Sequence, residues 1–164
     1  MEQPVARQDA LPDRETAART DDHRALRLWL RLLTCTQLIE REVRARLRER
    51  FDTTLPRFDL MSQLWRYPAG LKMKELSRHL MVTGGNVTGI TDALEREGLV
   101  ARVADSSDRR ACRVRLTPAG TRAFRSMAAE HERWIIEAFS GFGARDQRRL
   151  AGDLAKLKTH LRNR

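Results

Sequence analysis

Between Gly98 and Thr117 the hydrophobic pattern changes period, and no other feature constrains the fold as strongly. Elsewhere apolar residues recur at steps of three or four, the mark of amphipathic helix. Here Leu99, Ala101 and Val103 alternate with Val100, Arg102 and Ala104. After the polar stretch 104–110, Cys112, Val114 and Leu116 alternate with Ala111, Arg113 and Arg115. Two short alternating runs around a polar loop read as a β-hairpin. A chain of 164 residues, 41% of them hydrophobic, has material for one core. The expected fold is therefore mainly α with a small β-hairpin.

The helical pattern is legible on both sides. From Asp22 to Phe51, Leu28, Leu32, Cys35, Ile39, Val43, Leu47 and Phe51 form one stripe. Pro56 suits the first turn of a second helix reaching Tyr67, with Phe58, Met61, Leu64 and Trp65 inward. A third helix runs from about Lys72 to Leu80, burying Met73, Leu76 and Leu80. Thr83 is placed to cap a fourth, Gly84–Glu97, which Gly98 ends. Thr117-Pro118 restarts helix after the hairpin, and Gly141 to Gly143 breaks it. The last helix carries Leu150, Leu154, Leu157 and Leu161 at heptad spacing. Residues 1–21 show no apolar period and read as a mobile tail.

Charge narrows the function. The net charge is +10, and 28 of the 32 basic residues are arginine, whose fork suits phosphate and base edges. A strongly basic chain calls for an anionic partner, with nucleic acid foremost. No apolar run approaches the roughly 18 residues that a membrane helix requires, and the N-terminal residues lack a secretory pattern, so a cytoplasmic location is expected. Two cysteines form no disulfide framework. Cys35, in the apolar stripe, and Cys112, on the inward hairpin face, are expected to be buried, inert thiols.

Three short helices followed by a hairpin have the order of a helix-turn-helix with a wing. The fourth helix then enters the major groove of double-stranded DNA, and the hairpin tip reaches a minor groove. The candidate DNA-contacting residues are Thr83, Gly84, Gly85, Asn86, Thr88 and Thr91 on and before that helix, with Asp108, Arg109 and Arg110 at the tip. Asn pairs with adenine, Thr touches a thymine methyl or a phosphate, and helix N-terminal amides favour phosphate. Asp108 would hold an arginine in a fixed pose.

Other chemistries lack their residues. The glycine run 84–91 nearly matches a phosphate-binding loop, but Ile90 stands where lysine is required. His23, His79, His131 and His160 show no metal-ligand spacing, and no nucleophile setting is recognisable. No catalytic residue, metal or cofactor is expected.

The stretch Leu55–Gly120 resembles the MarR family of winged-helix transcriptional regulators. The segments that carry the likeness are Glu75 to Leu80, Val82 to Thr88, Leu94 to Val100, Asp108 to Ala111 and Leu116 to Gly120. Many members have arginine where this chain has Gly89, which shifts weight from helix readout to shape and wing. The resemblance implies a homodimer paired through residues 22–52 and 118–164, with 53–117 as the DNA-binding lobe. It also implies a ligand pocket between the two regions, for which Trp29, Leu33, Phe58, Met61 and Trp65 are the candidate lining. The opening Leu26–Leu64 resembles the branch that regulates aromatic-acid breakdown, implying an aromatic acid or its CoA thioester as effector. The expectation is a ligand-released regulator, set against a constitutive architectural or RNA-binding protein.

Overall fold

In the computed structural model, described over residues 23–80, 84–105 and 112–163, the first helix stops by a local device. Helix α1 (Arg24–Phe51) ends as Asp52 enters the left-handed region at φ 46°, which Asp tolerates better than most residues. The amides of Asp52 and Thr53 then close onto the carbonyls of Arg48 and Leu47 at 3.1 and 3.3 Å. Helix α2 (Leu55–Arg66) follows, with Pro56 in its first turn as its missing amide hydrogen permits.

A two-residue strand, β1 (Leu71–Lys72), leads directly into α3 (Met73–Leu80). The sequence reading had helix from about Lys72 and no strand here. Helix α4 (Gly84–Arg96) ends at Gly98, where φ is +69° and the Leu99 amide bonds to the Leu94 carbonyl at 2.9 Å. Strands β2 (Val100–Ala104) and β3 (Cys112–Leu116) pair antiparallel, with Val100 opposite Leu116 and Ala104 opposite Cys112. Strand β1 adds to the far side of β3, Leu71 opposite Val114, giving the order β1-β3-β2. The expected hairpin is thus the larger part of a three-stranded sheet.

Helices α5 (Pro118–Ala138) and α6 (Ala144–Arg162) complete the chain. Thr117 caps α5, its hydroxyl accepting from the Gly120 amide at 3.0 Å and donating to the Gly98 carbonyl at 2.6 Å. The core is built from Leu47, Leu60, Met61, Leu64, Leu76, Val87, Leu94, Val100 and Val114, with Phe124, Met127 and Trp134 of α5. Arg46 and Arg50 pair with Glu137 and Glu130 across α1 and α5 at 2.5 and 2.8 Å.

The chain divides into two compact units, residues 1–42 and 43–164. In the first, Leu26, Leu28, Trp29 and Leu38 are exposed, and so is Cys35. This corrects the expectation of a buried Cys35: Val43 and Leu47 are the buried residues of α1, and Leu32 and Ile39 on either side of Cys35 are no more than half-buried. Cys112 is also exposed rather than inward. It lies two residues from buried Val114, in the last pair of the ladder, opposite exposed Ala104.

Candidate nucleic-acid interface

Helix α4 has a polar outer face and an apolar inner one. Asn86, Thr88 and Gly89 are exposed, while Val87 and Leu94 are fully buried. Gly84 and Gly85 form its first turn. Thr91 is corrected: it is 0% exposed, and its hydroxyl donates to the Val87 carbonyl at 2.7 Å. That local bond satisfies the buried hydroxyl, which therefore cannot reach a groove. Thr83, Asp108, Arg109 and Arg110 lie outside the described residues.

The pose of α4 is fixed by a strand residue that sequence reasoning passed over. Arg102 of β2 reaches Asp92 at 2.5 Å and also pairs with Glu95. The Arg102 amide donates to the same Glu95 carboxylate at 3.1 Å. Its hydrogen bond to Asp92 leads the causes that hold the Arg102 guanidinium above its ordinary pKa. Helix and hairpin are thus joined by two carboxylates on one arginine fork. A second tie, Arg57 to Glu97, joins α2 to the end of α4.

The loop end of the β2–β3 ladder is anchored separately. Asp105, only 1% exposed at its side chain, accepts from Arg113 Nε at 2.8 Å and faces Lys72 Nζ at 3.3 Å. Arg113 Nη1 donates to the Gly70 carbonyl at 2.9 Å, and Glu75 accepts from the Lys72 amide at 2.7 Å. The alternating pattern flagged Arg113 as outward, but nothing local marked it as the partner of Asp105 eight residues earlier.

The candidate ligand-lining residues fall into two places. Trp29 and Leu33 belong to the unit of residues 1–42, with Trp29 exposed and Leu33 half-buried. In the other unit, Phe58 packs on Phe124 at 5.5 Å and on His131 at 4.8 Å, and Trp65 packs on Phe124 at 5.7 Å. Phe58 and Met61 are buried core residues, whereas Trp65 stays exposed. Met61 also borders a cavity of ≈ 440 Å³ between the end of α1, α2, the α4–β2 turn and α5. Within it, the Arg57 Nε is buried without a hydrogen-bond partner among the described residues.

Burial lowers the pKa of His131 below the usual imidazole range. The folded state therefore favours the neutral ring, and the unfolded chain takes up a proton first as pH falls. Stability is expected to drop through the window from about pH 6.5 down to the lower folded-state pKa. Thermal melts between about pH 7 and pH 5 should show a slope that His131→Phe reduces by a few degrees. An equal slope in the variant would assign the acid sensitivity to other groups.

Among the described residues no group of His, Cys, Asp and Glu could hold a metal ion, and no helix is long and apolar enough to cross a membrane. Comparison with known proteins agrees with this architecture. Residues 53–112 match the MarR family model. YkoM of Bacillus subtilis, an HTH-type transcriptional regulator, is 33% identical over 89 residues, covering 54% of this chain and 58% of its own. BadR of Rhodopseudomonas palustris, a transcriptional activatory protein, is 32% identical over 106 residues, covering 63% and 60% respectively. The chain thus spans about three fifths of the length of these two curated relatives. A MarR family transcriptional regulator from Silicibacter pomeroyi superimposes with a TM-score of 0.73 at 29% identity, over 87% of this chain and 99% of that one. The family match falls on the helix–hairpin lobe, residues 53–112, and the fold shared with the Silicibacter pomeroyi regulator extends well beyond it.

Proposed function

We propose that this protein is a sequence-specific DNA-binding transcriptional regulator that works as a homodimer on a palindromic site. The observation that carries the reading is the exposure of Asn86, Thr88 and Gly89 on α4, a helix braced against the hairpin by Arg102. Asn86 is in the N-terminal part of α4, the part of a recognition helix that contacts base edges. Gly84 and Gly85 leave the first-turn amides open to a phosphate. Arg109 and Arg110, on the hairpin loop in the sequence, supply the minor-groove contact, with Asp108 orienting them. The net charge of +10 supplies the long-range attraction to DNA.

The regulator is proposed to repress and to be released by a small aromatic acid or its CoA thioester. In support, the cavity of ≈ 440 Å³ touches α1, α2, the α4–β2 turn and α5, so an occupant bears on the end of α4. The unpartnered Arg57 Nε offers a donor for a carboxylate or carbonyl oxygen. Its apolar borders, Phe51, Met61, Leu99 and Met127, suit a ring. BadR is named as an activator, so the sign of regulation is fixed by a reporter assay with and without the effector.

The test is a fluorescence-anisotropy titration against the DNA upstream of the protein's own gene. Tight binding to a palindromic segment that a scrambled duplex lacks, relieved by an aromatic acid, supports the reading. Equal affinity for any sequence, or for RNA, supports a constitutive architectural protein instead, which the high charge alone would also permit. Asn86→Ala is expected to weaken operator binding by about 1–3 kcal/mol and to relax base preference, and Arg110→Ala to weaken it by a similar amount. Affinity should fall with salt at a log–log slope of about −0.9 per neutralised phosphate. A flat salt response would remove the basic face from the interface.

A further inference from the structure

A second cavity, of ≈ 470 Å³, opens beside the α2–β1 turn, between the end of α2, α3 and β3. Three guanidinium groups border it, those of Arg66, Arg78 and Arg113, against one carboxylate, Glu75. Arg113 is pinned: Nε donates to nearly buried Asp105, and Nη1 to the Gly70 carbonyl. Its Nη2 has no partner among the described residues, so it offers a donor edge that is already positioned. Glu75 is engaged by the Lys72 amide and lies 3.9 Å from Arg113 Nη1. Arg66 and Arg78 are exposed and pair with no acid among the described residues. They come from two separate elements and meet at one recess. Tyr67 and His79 complete it with two rings 5.2 Å apart and tilted by 36°.

We infer that this recess binds a small phosphomonoester carried on a planar ring, of the mononucleotide class. Asp105 and Glu75 offset Arg113 and Lys72, which leaves the two positive charges of Arg66 and Arg78, a better match for a phosphate dianion than for a single carboxylate. Guanidinium forks match phosphate oxygens in pairs, and a fixed fork loses little freedom on binding. The exposed Tyr67 and His79 side chains each offer an aromatic face against which the ring that carries the phosphate can stack. A DNA backbone phosphate presents the same kind of oxygen with half the charge, and the experiment separates the two sources. The inference goes beyond the DNA-binding reading, and its primary readout, monophosphate binding, requires no DNA, so either can fail alone.

The experiment is calorimetric titration of the full chain at low salt with adenosine monophosphate, adenosine and inorganic phosphate, and separately with a random-sequence duplex. The monophosphate is expected to bind at least about ten times more tightly than adenosine, with inorganic phosphate competing. Arg66→Ala with Arg78→Ala should lower its affinity by about tenfold or more without moving the melting temperature, since both side chains are exposed and unpaired. Adenosine binding as well as its monophosphate would overturn the inference, because the ring alone would then be recognised. So would an unchanged affinity in the double variant, or no heat from the monophosphate at millimolar concentration. A double variant that loses affinity for the duplex alone would assign the arginines to the DNA backbone and overturn it too.

Discussion

Gly120→Ala is expected to destabilise the protein by about 3 kcal/mol or more, enough to leave a marginal domain substantially unfolded at physiological temperature. A Cβ at Gly120 would stand 1.8 Å from the Leu99 carbonyl oxygen and 2.8 Å from its carbon. Those are backbone atoms, which cannot swing aside as a side-chain end can. The start of α5 would have to move off the α4–β2 turn. That movement breaks the bond from the Thr117 amide to the Leu99 carbonyl at 3.1 Å and the bond from the Thr117 hydroxyl to the Gly98 carbonyl at 2.6 Å. Overpacking accounts for about 1–3 kcal/mol and the lost cap for about 1 more. Gly152→Ala is the control: nothing lies within 4 Å of a Cβ there, so it should be neutral or stabilise α6 by up to about 1 kcal/mol. Urea unfolding of both variants checks the pair. A Gly120→Ala midpoint equal to the parent's would mean that α5 does not pack against Leu99 this closely.

The same joint shows what a sequence can and cannot state. Thr117, Pro118 and Gly98 announce a helix start and a helix stop because each acts on its own backbone, within a few residues. The contact between Gly120 and Leu99 joins positions 21 residues apart through space, and no local pattern encodes it. Strand β1 was missed for a related reason. Two residues carry no period, and Leu71–Lys72 is a strand only because Val114 and Arg113 pair with it. The Arg102 clamp is likewise tertiary, since it needs the helix-to-strand turn before Asp92 and Glu95 can face it.

Thr91 is a different case. It stands four residues after Val87 and three before Leu94, the spacing of the buried face. Its polarity argued for the DNA side, but a threonine hydroxyl can be satisfied by the preceding turn, and position outweighs polarity there. The exposed cysteines follow from a further limit. Periodicity identifies an apolar stripe without saying whether this chain or another covers it. Cys35 lies on a stripe that the single chain leaves open, and Cys112 where the sheet ends.

That open stripe has a counterpart in α6, and together they yield the other large expected effect. Leu150→Asp with Leu154→Asp should convert the proposed dimer into a species of the 18.9 kDa chain mass and lower affinity for the proposed operator by more than about a hundredfold. No residue of α6 is buried in the single chain, although Leu150, Leu154, Leu157 and Leu161 share one seam. In proteins most helical stability comes from packing an apolar face, so a 19-residue helix with an uncovered leucine seam calls for a partner. A second copy is the partner that the proposed palindromic site requires, because two recognition helices must meet successive major grooves about 34 Å apart. One α4 alone reads one half-site and forfeits the effective concentration that links the two. Light scattering after gel filtration reads the mass, and circular dichroism on the same samples reads whether the lobe of α2 to β3 remains folded. Lys156→Ala, on an exposed residue of α6 outside the seam, should change neither quantity. A double variant that stays dimeric at micromolar concentration would move the dimer contact away from α6. A monomer that holds operator DNA as tightly as the parent would break the link between pairing and recognition.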